Sequence, residues 1–356
     1  MRITTLRLAP ALLLAGVFAC EPKPAPAPAP APPPPSPPAA ELAKEGTATV
    51  LDADIVLTDS SRNRELPVRV VYPQGSGPFP VIVFSHGAGG ASRTFDTLAR
   101  FWASHWFAVL LPSHADAAAA GAPDPATQSS REPATDASAD AKAWESRVRD
   151  LQFVVAATLA IESKVPGLRL DESRVGVGGQ SLGAFSAMLL AGTTIEVSKR
   201  PRSFADSIPK AFLLISPPGK GQQGLTDKSW STVTRPVMVV TGTRDPGSKN
   251  QDPSWRLDAY QLSPPGGKYA MFIEGGSHAS FIGLGAEVGA SGAAAAGAGA
   301  PATPSAQDEA VIFQAVRAAT LAFWQVYLKS DSGAVAFLKS DALMTESGNR
   351  AQLLRR

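Results

Sequence analysis

Apolar runs bounded by turn-forming residues recur along this 356-residue chain and alternate with stretches of helical period. The pattern predicts strands at Thr47–Leu57, Leu66–Tyr72, Val81–Phe84, Phe107–Leu111, Arg174–Gly178, Ala211–Ile215, Val237–Val240 and Tyr269–Ile273. Several are short, continuous and rich in Val, Ile, Leu or Phe, as strands are when helices cover both faces of a parallel sheet. Helices are predicted at 94–104, 140–162, 182–192, 253–261 and 308–329. The alternation implies right-handed crossovers and an α/β fold, with a mostly parallel, doubly wound, eight-stranded sheet between helices. Only Thr58–Glu65 separates the first two strands, so these are expected to form an antiparallel hairpin at the sheet edge.

Four stretches break this pattern. Residues 1–20 carry Arg2 and Arg7 ahead of the apolar run Leu12–Val17, which is too short for a stable membrane span and reads as an export signal. The run ends in Val17-Phe18-Ala19-Cys20, which resembles a bacterial lipoprotein box with Cys20 as the lipidated residue. Cys20 is the only cysteine, so no internal disulfide or cysteine-based metal site can form, and lipidation accounts for it. Residues 21–40 are dominated by Pro and Ala, which favours extended polyproline II and a stalk on the order of 50 Å long. A catalytic domain is expected over 41–340 and a C-terminal tail over 341–356. Inside the domain, residues 113–138 and the Gly- and Ala-rich stretch 284–306 are expected as surface loops. The protein is thus expected to be exported and lipid-anchored to a bacterial cell envelope, with Glu21 favouring the outer membrane.

Charge narrows the partners. There are 33 Lys and Arg against 31 Asp and Glu, and loss of Arg2 and Arg7 with the signal leaves the two in balance. Nucleic-acid binding needs a basic excess, so it is not expected. No His or carboxylate cluster has metal-site spacing, and no P-loop or dinucleotide fingerprint is present, so no cofactor is expected.

The chemistry centres on Gly179-Gln180-Ser181-Leu182-Gly183, which ends a predicted strand and opens a predicted helix. In that context the flanking glycines permit a tight turn that holds a serine strained and exposed. A serine nucleophile needs a base. Of His86, His105, His114 and His278, only His278 follows Ser181, just past the last predicted strand. An acid that orients the imidazole is expected between them in the chain. Asp245, beyond the carboxyl end of Val237–Val240, is best placed; Asp252 and then Asp258 are the alternatives. Backbone donors to an oxyanion are expected from Leu182 and from the Gly-rich segment Ser85–Gly90.

These residues resemble the dienelactone-hydrolase-like branch of the α/β-hydrolases, which includes platelet-activating factor acetylhydrolases and chlorophyllases. The resemblance rests on Phe84–Gly89, Gly179–Gly183, Ser216-Pro217-Pro218-Gly219, Thr241–Asp245 and Gly276–His278, and covers about residues 65–283 plus the C-terminal helix. It implies Ser181, Asp245 and His278 as the catalytic set and the Ala88 amide as an oxyanion donor. Gln180 stands where the elbow usually has His. The resemblance also implies that Arg149 and Asp150 brace neighbouring loops. His86 is expected to support the oxyanion loop, and Trp144 to pack its helix onto the sheet. The expected activity is serine carboxylic ester hydrolysis, of carboxylesterase or lipase type, on small-molecule short-chain or lipid-like esters. An amidase or transacylase could use the same residues, and a catalytically silent surface-binding lipoprotein is the rival from another class.

Overall fold

A computed structural model describes residues 35–116, 141–283 and 304–356, with side chains from 144 onward in the second stretch. The segment 1–20 expected as an export signal, with Cys20, most of the Pro/Ala stretch, residues 117–140 and residues 284–303 lie outside the described residues.

All eight predicted strands form. They are β1 Val50–Asp59, β2 Arg64–Pro73, β3 Phe79–Ser85, β4 Ala108–Pro112, β5 Leu170–Gln180, β8 Ala211–Ile215, β9 Val237–Arg244 and β10 Lys268–Ser277. A small hairpin, β6 Ile195–Val197 with β7 Arg200–Arg202, stands apart from the main sheet. The main sheet has nine strands rather than eight, in the order β1-β2-β4-β3-β5-β8-β9-β10-β11. The ninth, β11 Ala351–Arg355, lies in the segment expected as a tail and pairs antiparallel with β10 from Tyr269↔Arg355 to Ile273↔Ala351. β1 and β2 form the expected antiparallel hairpin, and β4 through β10 run parallel in the sheet order. This is the α/β-hydrolase architecture.

The apolar runs are continuous because the sheet is buried on both sides. Along β8, Phe212 and Leu214 enter one core while Ala211, Leu213 and Ile215 enter the other. β3 divides in the same way, with Val81 and Val83 on one face and Ile82 and Phe84 on the opposite one. Alternate residues of a strand must point to opposite faces, so a strand covered twice has no polar side to show.

Helices α1 Ala39–Leu42 and α2 Asp96–Ser104 contribute to the core that holds Phe84. The other core takes α3 Ala141–Ala156, α4 Thr158–Lys164 and α5 Leu182–Ala191. Trp144 sits there as expected, edge-on to Phe185 of α5 and to Phe204. A later short helix, α6 Asp258–Gln261, precedes the long α7 Ala306–Lys329, which returns to the first face. Ser305 starts α7 with a capping box, its hydroxyl accepting from the Asp308 amide while the Asp308 carboxylate accepts from the Ser305 amide.

Sheet order fixes where a ligand can enter. From β3 the chain crosses to β4 on one side, and β5 then takes the place on the other side of β3. In open α/β sheets ligands bind outside the carboxyl ends of the strands at such a topological switch point, here β3 and β5.

Candidate active site

Ser181 follows β5 directly and is the residue before α5. Its backbone has φ +56° and ψ −118°, a conformation that costs an L-residue on the order of 1–3 kcal/mol. Two contacts hold that turn. The Ser181 amide donates to the Ile215 carbonyl at 2.9 Å, and its carbonyl accepts from the Phe185 amide at 2.9 Å. A Cβ on Gly183 would lie 2.1 Å from the Ser85 carbonyl oxygen, and one on Gly179 would lie 2.4 Å from the Gly183 carbonyl carbon. The two glycines therefore let strand, turn and helix pack against β3. The Ser181 side chain makes no capping bond to α5, so its hydroxyl is not committed to the helix. Leu182 is the first residue of α5, where amides have no partner within the helix and the macrodipole favours negative charge.

His278 follows β10, and its Nδ1 lies 2.8 Å from Asp245 Oδ1. The His278 side chain keeps 15% of its surface exposed, whereas Asp245 is fully buried. Of the three acids considered, Asp245 is the one the structure brings to the imidazole. Asp252 instead caps the turn that follows it, accepting from the Ser254 amide at 2.9 Å, and Asp258 accepts from the Lys220 amide at 2.8 Å.

Several contacts fix this pair. Thr241 Oγ1 donates to Asp245 Oδ2 at 2.9 Å. Arg256, itself buried, places Nε 3.1 Å from Asp245 Oδ1 and donates to the carbonyls of Asp245, Ser216 and Pro246. Burial pushes the Asp245 carboxyl up, but the Arg256 guanidinium and the His278 ring outweigh it and hold the carboxyl below its ordinary range. The turn carrying His278 is tied to β9 by the Gly275 amide donating to Thr243 Oγ1, and internally by Ser277 and Ser280. Gln180 Nε2 donates to the His278 carbonyl at 3.1 Å, joining the nucleophile's neighbour to the histidine's backbone.

The loop after β3 passes beside the elbow. A Cβ on Gly87 would sit 3.6 Å from Ser181 Cβ and 2.8 Å from Gln180 Oε1, so Ala88 occupies the segment next to the nucleophile. Beneath this loop lies a buried polar network. His114 Nε2 is 2.8 Å from Ser85 Oγ, and its Nδ1 is 3.0 Å from Asp150 Oδ2. Asp150 also receives Arg62 at 2.7 Å and Arg64 at 3.0 Å. Burial raises the Asp150 carboxyl despite these arginines, and burial pushes both His86 and His114 well below the ordinary imidazole range. The bracing role expected of Arg149 falls elsewhere. Arg149 is exposed and pairs with Glu145 one turn back, while Arg147 is the buried arginine of this helix.

Arg256, Arg147 and His114 were not singled out by sequence reasoning. Arg147 had a signal. It lies three residues after Trp144 and four before Leu151, on the stripe of α3 that is buried. Arg256 had none, because its partners, the Asp245 carboxylate and the carbonyls of Asp245, Ser216 and Pro246, come from two other segments of the chain.

Four parallel strands thus present residues at their carboxyl ends, on one edge of the sheet: the loop after β3, Ser181 after β5, Asp245 after β9 and His278 after β10. In an α/β-hydrolase fold, that edge is where acyl-transfer chemistry is carried out. Residues 39–205, a little under half of the chain, match the family model for chlorophyllase, an α/β-hydrolase-type family. The match points to an ester hydrolase of the α/β-hydrolase type. It spans the Gly-rich loop after β3 and the Gly179–Gly183 turn and stops short of Asp245 and His278. No curated protein matches the chain.

Proposed function

We propose that this protein is a serine carboxylic ester hydrolase working through an acyl-enzyme. The observation that carries the reading is Ser181, held at φ +56° at the end of β5, with His278 after β10 backed by the buried Asp245 after β9. His278 accepts the Ser181 proton through Nε2 as Oγ attacks the ester carbonyl. Nδ1–H donates to Asp245, which fixes the tautomer and stabilises the imidazolium. The Ala88 and Leu182 amides receive the oxyanion, with the N-terminus of α5 adding a favourable field. His278 then protonates the leaving alcohol, and the same residues direct water at the acyl-enzyme.

The wider resemblance to acetylhydrolases and chlorophyllases supports short-chain or lipid-like esters as substrates. Hydrolysis of p-nitrophenyl acetate, butyrate and octanoate by the full chain tests the reading, with Ser181→Ala alongside. Turnover lost in the variant, together with fluorophosphonate labelling of the wild type alone, is the expected result. Equal turnover by both proteins would overturn it.

A further inference from the structure

The oxyanion loop has its own fastening, and its centre is Arg147. This side chain is almost wholly buried and reaches two consecutive carbonyls of the loop, donating from Nη1 to His86 at 2.6 Å and from Nη2 to Gly87 at 3.0 Å. Its other edge forms a two-point pair with Asp116, Nε to Oδ1 at 2.9 Å and Nη2 to Oδ2 at 2.6 Å. The planar fork allows one guanidinium to do all of this, and an ammonium could not.

His86 completes the fastening. The His114 amide donates to His86 Nε2 at 3.2 Å, so the proton resides on Nδ1, which donates to the Gly87 carbonyl at 2.7 Å. The Gly90 amide reaches the same oxygen at 3.2 Å. Three donors therefore converge on the Gly87 carbonyl.

The consequence follows from peptide planarity. In a trans peptide the carbonyl of one residue and the amide N–H of the next point in opposite directions. With the Gly87 carbonyl held on the Arg147 side, the Ala88 N–H must face the other way. Gly87 itself lies against Ser181 and Gln180. The loop is rich in glycine, and a peptide between Gly87 and Ala88 could otherwise rotate at little steric cost.

We infer that Arg147 is a positioning residue for the proposed ester hydrolysis, one that sets the direction of the Ala88 amide in advance of substrate binding. It touches no reacting atom. The burial of its guanidinium is explained by this role, since burying an arginine against a partly exposed Asp116 adds little stability over an apolar side chain of similar size. The inference rests on the ester-hydrolase reading.

The test compares wild type, Arg147→Met, Arg147→Lys and Ser181→Ala on p-nitrophenyl butyrate, with inhibition by butylboronic acid, which adds to the serine and mimics the tetrahedral species. Arg69→Met is the structural control, a buried arginine paired with Asp52, Asp54 and Asp96 rather than with the loop carbonyls. Both Arg147 variants are expected to lose about 10- to 100-fold in kcat with KM within about threefold, and boronate affinity should fall in parallel with kcat/KM. Arg69→Met should lower the unfolding midpoint and leave kcat per folded molecule unchanged. Where Arg147→Met does not fold, Arg147→Lys carries the test, because the lysine retains the charge and loses the two-carbonyl grip. Wild-type kcat and boronate affinity in a folded Arg147 variant would overturn the inference while Ser181→Ala remained inactive. An active Ser181→Ala would instead remove the ester-hydrolase reading itself.

Discussion

Among the described residues, the proposed catalytic set of Ser181, His278 and Asp245 stands against a buried set of Ser85, His114 and Asp150, and the two differ in almost everything except residue type. At the strand ends, Asp245 meets His278 at 2.8 Å, and Gln180, the residue before Ser181, donates to the His278 carbonyl. Beneath the oxyanion loop, Asp150 meets His114 at 3.0 Å, and His114 meets Ser85 at 2.8 Å. In the second set the serine is the last residue of β3 and the histidine has no exposed surface. Ser181 sits at positive φ on a helix N-terminus, and the His278 ring is partly open. The carboxyls diverge as well: burial prevails at Asp150 and raises it, whereas Arg256 and His278 prevail over burial at Asp245 and lower it. A hydrogen-bonded series of these three side chains is therefore not enough for catalysis. What distinguishes a nucleophile from a strut is a strained backbone, access for a substrate and amides aimed at the developing charge.

The sharpest way to break this comparison is to remove each serine hydroxyl in turn. Ser181→Ala should lower ester kcat by about a million-fold with little change in unfolding midpoint. Ser85→Ala should keep kcat within about threefold and cost about 1–3 kcal/mol of stability, because it leaves a buried imidazole nitrogen without its donor. Steady-state kinetics and urea unfolding on both variants measure this, and a reversal of the two outcomes would make the buried set the functional one. Next in size is the acid. Asp245→Asn should reduce kcat by about 10⁴-fold at pH 7, since an amide beside Nδ1 favours the wrong imidazole tautomer.

A smaller effect separates the two sets by pH. His86 and His114 are held neutral in the folded protein, among Arg147, Asp116, Asp150, Arg62 and Arg64. An unfolded chain takes up those protons below about pH 6.5 and the folded one resists. Their contribution is fully present above that pH and is lost as the pH falls, at up to about 1.4 kcal/mol per pH unit for each ring. Urea unfolding at pH 7.5 and pH 5.5 should show the loss, and His114→Asn should diminish it; an equal loss in that variant would argue against the assignment. Smallest of all, Gln180→Ala should cost about threefold to tenfold in kcat/KM, the worth of one hydrogen bond to the His278 backbone, as read by steady-state kinetics.

Most of the sheet was legible because burial on both faces writes itself as unbroken apolar runs. β11 was not, since Ala351–Arg355 is half-buried and mixed in character, and its pairing with β10 becomes evident only in three dimensions. The β6–β7 hairpin was missed for the opposite reason: Arg200, Pro201 and Arg202 are all exposed and carry no core signal. At the site, the constraint of chain order and strand ends was enough to pick out Ser181, Asp245 and His278 as candidates. The polar scaffold under them was hidden. A sequence does not announce that Arg147 or Arg256 is buried, because the reason lies in carbonyls from other segments. Helical spacing from Trp144 was the one clue available, and it favoured Arg147 over Arg149.

The candidate site draws on widely separated stretches of chain: the loop and nucleophile belong to β3 and β5, and the relay to β9 and β10. On the proposed mechanism, neither half suffices for hydrolysis alone. Turnover therefore reports on assembly as well as on chemistry, and during refolding it should return only once the late strands have docked against the early ones. Tryptophan emission from Trp102 and Trp324, both deep in one core, can recover earlier. The lag between the two signals would time the meeting of the halves.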